Sequence, residues 1–262
     1  MVIKADVNTD IGIRKKVNQD AILVKQAKTR NRGRVTFAVL CDGLGGLSCG
    51  EVASTSVISR MDDWFKMELP ALLDDDNTTM ELTDSRKSET SIWSRITVQW
   101  SSIVSEMNQK LKLYGKDNNI SLGTTCICIF LMENKYLIMN IGDSRIYSFN
   151  DKEIKQLTHD QSYVQLQIDL GKMTLEQAEK SDKKNILLQC IGASENITPE
   201  FCKGECETKE KYLLCSDGFW RKLRLHEIQE LYNKKNDLKK LCELIKERGE
   251  TDNISAICLS VE

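Results

Sequence analysis

Two largely apolar, strand-like runs with the same ending stand out in the alternation of apolar and polar positions along this chain. Val35-Thr36-Phe37-Ala38-Val39-Leu40-Cys41 runs into Asp42-Gly43-Leu44-Gly45-Gly46, a carboxylate followed by a glycine-rich turn. Lys211-Tyr212-Leu213-Leu214-Cys215 ends in Ser216-Asp217-Gly218. Other strands are expected within Met1–Val24, around the turn-prone Asn8-Thr9-Asp10 and the basic Arg14-Lys15-Lys16, and again at Ile254–Val261. Thr124–Leu131, Tyr136–Ile141 and Arg145–Phe149, joined by the short turns Glu133-Asn134-Lys135 and Gly142-Asp143-Ser144, read as an antiparallel meander.

Helical periodicity accounts for most of the rest. Ala53, Val57, Met61, Trp64 and Phe65 share one face of a helix beginning near Glu51, with Ser48 as its cap. Ile92, Ile96, Trp100, Ile103, Met107 and Leu111 do the same for a helix over Ser91–Tyr114. Shorter helices are expected at Leu225–Tyr232 and at Leu238–Lys246, the latter opened by Asp237, and within 161–188, where Thr174 and Gln177 fit a capping box. Lys25–Arg34 reads as a basic loop. Pro70–Thr90, with Asp74-Asp75-Asp76, loses periodicity and reads as an exposed insertion. Strand runs mixed with a few long amphipathic helices predict one α+β domain of antiparallel sheets covered by helices.

The composition narrows the function classes. In 262 residues, 37 basic and 39 acidic side chains leave a formal charge of −2, which gives no electrostatic reason to expect nucleic acid or a membrane surface. No run is apolar enough for a signal peptide or a membrane span, so a cytoplasmic protein is expected. Most of the 10 cysteines sit singly in apolar runs and read as reduced core residues, while Cys202 and Cys206 lack the second pair that a zinc site needs.

Asp20, Asp42, Asp217 and Asp252 each lie beside an apolar strand, and four separated carboxylates at strand edges suggest a hard-metal site. In order along the chain, Arg14 with Asn18-Gln19-Asp20, Asp42-Gly43-Leu44-Gly45-Gly46, Gly123-Thr124-Thr125, Ile141-Gly142-Asp143-Ser144-Arg145, Cys215-Ser216-Asp217-Gly218 and Asp252-Asn253 resemble the motifs of the metal-dependent type 2C protein phosphatases. The likeness runs from about Asp10 to the C-terminus and is to the short, bacterial-like form.

That resemblance implies two face-to-face antiparallel sheets with helices outside, a flap at 161–188, and two Mn²⁺ or Mg²⁺ ions in a cleft at the sandwich edge. It implies hydrolysis of phosphoserine and phosphothreonine by a monomer acting on phosphorylated proteins, including a Ser/Thr kinase or its targets. Asp42 would bridge the ions, the Gly43 carbonyl would be a backbone ligand, Asp217 and Asp252 would complete one shell, Asp20 would serve the other, and Arg14 would hold phosphate. Asp143, Ser144, Arg145 and Gly123-Thr124-Thr125 read as structural.

Three departures matter. Gln19 stands where the family often has Glu; Leu44 stands where many members have a histidine, leaving metal-bound water or a carboxyl such as Asp160 to supply a proton; and Asp117 is near, but not clearly at, the position where some bacterial members bind a third metal, which leaves that site open. A catalytically weak scaffold that binds phosphoproteins and a phosphatase of a small metabolite are the alternative readings.

Overall fold

In the computed structural model, residues 2–44, 49–78, 85–233 and 237–262 are described, those at 75–78 and 85–91 by backbone alone. The order is β1 (Ile3–Asp10), β2 (Asp20–Lys28), β3 (Arg34–Asp42), α1 (Gly50–Asp63), α2 (Leu69–Thr78), α3 (Ser85–Asn118), β4 (Cys126–Met132), β5 (Lys135–Ile141), β6 (Arg145–Phe149) and β7 (Ile154–Gln156). Then come α4 (Tyr163–Asp169), α5 (Leu175–Lys180), β8 (Glu200–Glu205), β9 (Lys211–Cys215), α6 (Asp217–Trp220), α7 (Leu225–Tyr232), α8 (Leu238–Glu247) and β10 (Ile254–Val261). The strands form two five-stranded antiparallel sheets, β1-β10-β9-β6-β7 and β2-β3-β4-β5-β8.

The central strands β3 and β4 are apolar because both of their faces are buried, so neither face selects polar residues. In β3, Phe37, Val39 and Cys41 enter the core under the helices, while Ala38 and Leu40 enter the core between the sheets. In β4 the partition is Cys126, Cys128, Phe130 and Met132 against Ile127, Ile129 and Leu131. The helix-side core centres on aromatic rings. Phe37 lies 5.2 Å from Trp64 and 5.5 Å from Trp100, separations at which edge and tilted pairs add about 0.5–1.5 kcal/mol beyond area burial. A third core lies between the other sheet and α7 and α8. The result is the expected sandwich flanked by helices. All 10 cysteines are free, and Cys41, Cys126, Cys128, Cys190, Cys215, Cys242 and Cys258 are buried. Among the described residues no helix is long and apolar enough to cross a membrane.

The structure changes four of the expected elements. The stretch from Pro70 is helical to Thr78 and helical again from Ser85, and Leu72 and Leu73 are buried in the helix-side core. A π-helical turn at Trp64–Glu68 joins α1 to α2 and brings Trp64 and Phe65 inward. The basic loop is shorter than Lys25–Arg34, because β2 continues to Lys28. β6 does not pair with β5: β5 pairs with β8, and β6 with β7 and β9. Gly142-Asp143-Ser144 is therefore a corner between sheets and not a hairpin turn, with Gly142 at φ 104, a conformation that a Cβ would disfavour. Thr174 and Asp237 cap their helices as expected. Gly45, Gly46 and Ser48 lie outside the described residues, and α1 has Cys49 at its N-cap with no side-chain cap bond.

Candidate metal centre

Strand register gathers the carboxylates. Asp20 and Asp42 are directly paired positions at one end of the β2–β3 ladder. In the other sheet, Cys215 pairs with Ala256, so Asp217, just after β9, and Asp252, just before β10, lie at the same end. The backbones there are close enough to require glycine. A Cβ on Gly43 would stand 2.5 Å from the carbonyl oxygens of Gln19 and Gly50, and one on Gly218 would stand 2.1 Å from that of Asn253.

Several residues hold this end together. The Thr125 hydroxyl receives the Asp42 N–H at 3.0 Å, and the Thr125 N–H and the Thr124 hydroxyl both donate to the Asp42 carbonyl at 2.9 Å. This supports the structural reading of Gly123-Thr124-Thr125. Asn253, buried, accepts the Gln19 N–H at 2.9 Å and donates to the carbonyls of Ile11 and Val17, which fixes the loop that carries Arg14. Gln19 donates to Glu51 on α1, 3.1 Å, so its neutral amide orients a neighbouring acid.

The electrostatics of the cluster are unfavourable without a cation. Burial raises the Asp42 pKa well above its ordinary value, and the charges of Asp217, Asp20, Asp143 and Asp252 add to that. Asp20 is pushed up to about 7 by burial and by Asp217. The Ser255 and Ser216 hydroxyls pull the other way, but Ser255 is engaged with Thr9 and Ser216 with the Ser255 carbonyl. Both Asp20 carboxylate oxygens are buried without a hydrogen-bond partner among the described residues. Asp217 is raised by burial, an effect that Arg221 opposes.

Asp143, which the sequence reading placed in a hairpin with a structural role, lies beside the carboxylate cluster. It is 5% exposed, and burial and Asp217 push its pKa up to about 8 against the opposing pull of Arg221. Its neighbours Ser144 and Arg145 are engaged locally, Ser144 with the Thr125 hydroxyl at 2.9 Å. Arg145 pairs with Asp160 through Nη2 at 2.8 Å and stacks 3.4 Å from the Trp220 ring centroid, while Trp220 donates to the Asp143 carbonyl at 2.9 Å. Asp160 is therefore engaged in an ion pair with Arg145. At the start of segment 161–188, Gln161 N–H donates to the Gly142 carbonyl at 2.9 Å, and Gln161 Oε1 accepts the Gly142 N–H at 3.1 Å, so the segment springs from the corner that carries Asp143.

Cations enter the cluster from two sides. Lys15 Nζ is 2.7 Å from Asp252, and Arg221 Nη2 is 2.6 Å from Asp217. No sequence signal singled out either one. Arg14 is exposed on the loop between β1 and β2, beside Lys15. Asp117 is exposed near the end of α3. His159 is exposed with Nε2 2.8 Å from Asp169, and His226 is exposed on α7. As the side chains stand, no three acidic, histidine or cysteine groups among the described residues are gathered closely enough to hold an ion, and two of the carboxylates are paired with cations. The donor chemistry nevertheless fits a hard divalent ion: carboxylate oxygens outnumber the cations facing them, and those of Asp20 have no donor among the described residues.

The family model for Protein phosphatase 2C matches residues 13–256. The chain belongs to the protein phosphatase 2C family. Serine/threonine phosphatase stp of Listeria monocytogenes is 28% identical over 260 residues, which cover 97% of this chain and 94% of that protein. Protein phosphatase PhpP of Streptococcus pneumoniae is 28% identical over 97% of this chain and 95% of its own length. A crystal structure of a bacterial serine phosphatase superposes with a TM-score of 0.81 at 27% identity, covering 100% of this chain and 98% of that one. The two five-stranded sheets with outer helices are thus the protein phosphatase 2C fold.

Proposed function

We propose that this chain removes phosphate from phosphoserine and phosphothreonine in proteins, using divalent cations held by the carboxylates at one end of the sandwich. The observation that carries the reading is the Asp20–Asp42 pair with its orphaned Asp20 oxygens, facing Asp217 and Asp252 across the sheets. Asp42 would be shared between two ions, with the Gly43 carbonyl beside it; Asp217 and Asp252 would serve one ion, and Asp20 the other, directly or through water. Bound Mn²⁺ or Mg²⁺ supplies Lewis acidity, neutralising charge on the phosphate and making water a stronger acid near neutral pH.

The remaining work belongs to the protein. The Thr124 and Thr125 hydrogen bonds hold the Asp42 backbone, and Asn253 holds the 11–19 loop, so the carboxylates and Arg14 keep a fixed relation. Arg14, whose planar fork suits two phosphate oxygens, would bind and orient the substrate's phosphate. The flap, rooted on Gly142, would meet the polypeptide on either side of the phosphorylated residue. The natural substrates on this reading are phosphorylated proteins, including a Ser/Thr kinase or that kinase's targets, with the chain acting as a cytoplasmic monomer.

The test is hydrolysis of matched phosphoserine, phosphothreonine and phosphotyrosine peptides by the purified chain, with manganese and with chelator. Manganese-dependent release from the first two, with little from phosphotyrosine, is expected. Release unaffected by chelation would overturn the metal centre, and release only from small phosphate esters would move the substrate class to metabolites.

A further inference from the structure

Arg221 lies within the carboxylate cluster and not at its rim. Its backbone N–H donates to the Asp217 carbonyl at 3.0 Å, at the end of the single turn α6. Its side chain folds back over that turn, bringing Nη2 to 2.6 Å from Asp217 Oδ2 and 3.8 Å from Asp143 Oδ2. The Arg221 side chain is 19% exposed, and those of Asp217 and Asp143 are 15% and 7% exposed, so water screens these contacts weakly. The guanidinium also lies 5.8 Å from the Trp220 ring centroid. Arg145 lies closer to that ring, 3.4 Å from its centroid, and is itself committed to Asp160. Arg221 is therefore the guanidinium given over to the Asp143–Asp217 side of the cluster, as the more exposed Lys15 is to the Asp252 side.

A guanidinium and a divalent cation make conflicting demands on one carboxylate. Both use its oxygen lone pairs, and a fixed positive charge a few ångströms away repels a second one. We propose that Arg221 is a built-in counter-cation: it occupies the Asp143–Asp217 side in the metal-free protein, stabilises the fold in that state, and weakens divalent-cation binding there. The inference rests on the metal-centre reading given above, and it adds a residue of this chain that sets the affinity. The five aspartates of the cluster then never stand wholly uncompensated, and the ion that reaches Asp217 has to displace or share with the guanidinium.

The experiment is isothermal titration of manganese into the full chain, with melting temperature measured in chelator. It compares wild type, Arg221→Gln, Arg221→Lys and, as a control, Arg248→Gln, which breaks the ion pair to Glu227. Arg221→Gln should tighten at least one manganese site by about tenfold or more, since a full charge is removed at short range, and should lower the melting temperature of the metal-free protein. Arg221→Lys, which keeps charge without the fork, should fall between Arg221→Gln and wild type. Arg248→Gln should lower the melting temperature and leave manganese affinity unchanged. A folded Arg221→Gln protein with unchanged or weaker manganese binding overturns the proposal. If Arg221→Gln does not fold, Arg221→Lys decides: binding tighter than wild type supports the inference, and equal or weaker binding overturns it. If wild type binds no manganese at all, the metal-centre reading has failed and this inference falls with it.

Discussion

Asp20 and Asp42 are direct partners across the β2–β3 ladder, which places two carboxylates on neighbouring strands with no cation from either strand between them. Like charges opposed in this way destabilise a sheet unless something neutralises them. The burden falls on the metal-free protein and is lifted by protons or by metal.

Protons should therefore stabilise the chelated protein. Asp20, pushed up to about 7, and Asp143, pushed up to about 8, hold protons in the folded chain at pH values where the unfolded chain has lost them. Their contribution is fully present below the ordinary aspartate range and is lost as pH rises through about 7 and 8. The melting temperature in chelator should be higher at pH 5.5 than at pH 8.5, a window above that in which the lowered carboxyls Asp10, Asp62 and Glu227 act. Saturating manganese should flatten or reverse the slope, because metal competes with those protons. A chelated protein that is no more stable at pH 5.5 than at pH 8.5 would contradict this electrostatic account.

Arg14 is exposed, and the carbonyls of Ile11 and Val17 on its loop are tied to Asn253, so its side chain can be changed without disturbing the carboxylates. Arg14→Ala should weaken substrate and free-phosphate binding by about tenfold or more while leaving manganese affinity near wild type, as expected for loss of a fork-like phosphate contact. Arg14→Lys should recover part of the loss. Kinetics and phosphate competition check this beside manganese titration; equal losses in both affinities would assign Arg14 to the metal centre.

Both histidines are exposed. His159 pairs with Asp169 on α4, and His226 lies on α7. With Asp160 paired to Arg145, departure of the substrate oxygen should depend on its own acidity or on water. The His159→Gln, His226→Gln double variant should keep most activity on both an aryl phosphate and a phosphothreonine peptide. A loss on the order of 100-fold confined to the peptide would reveal a histidine general acid.

What could be read from the sequence was local. A buried strand ending in Asp-Gly declares itself, because both faces are apolar and the turn is distinct, and that pattern located Asp42 and Asp217. Long amphipathic helices were equally plain. The turn carrying Asp143 was misread because Gly142-Asp143-Ser144 between two strands has the composition of a hairpin, whereas its strands pair with β8 and β9, far along the chain. β8 escaped because Glu200–Glu205 is half-exposed, charged and interrupted by Gly204 at a sheet edge. Leu72 and Leu73 are buried by contacts with distant elements, which an acidic neighbourhood conceals. Lys15 and Arg221 are ordinary surface-type residues until the fold sets them against Asp252 and Asp217.

The measurement that bears most directly on the central claim is turnover of a phosphothreonine peptide by Asp42→Asn at saturating manganese, with melting temperature recorded in chelator. Asp42 faces four other carboxylates, so its neutralisation should raise the melting temperature of the metal-free protein while lowering turnover by about a hundredfold or more. Wild-type turnover by a folded Asp42→Asn protein would show that the carboxylate cluster is not the catalytic metal centre.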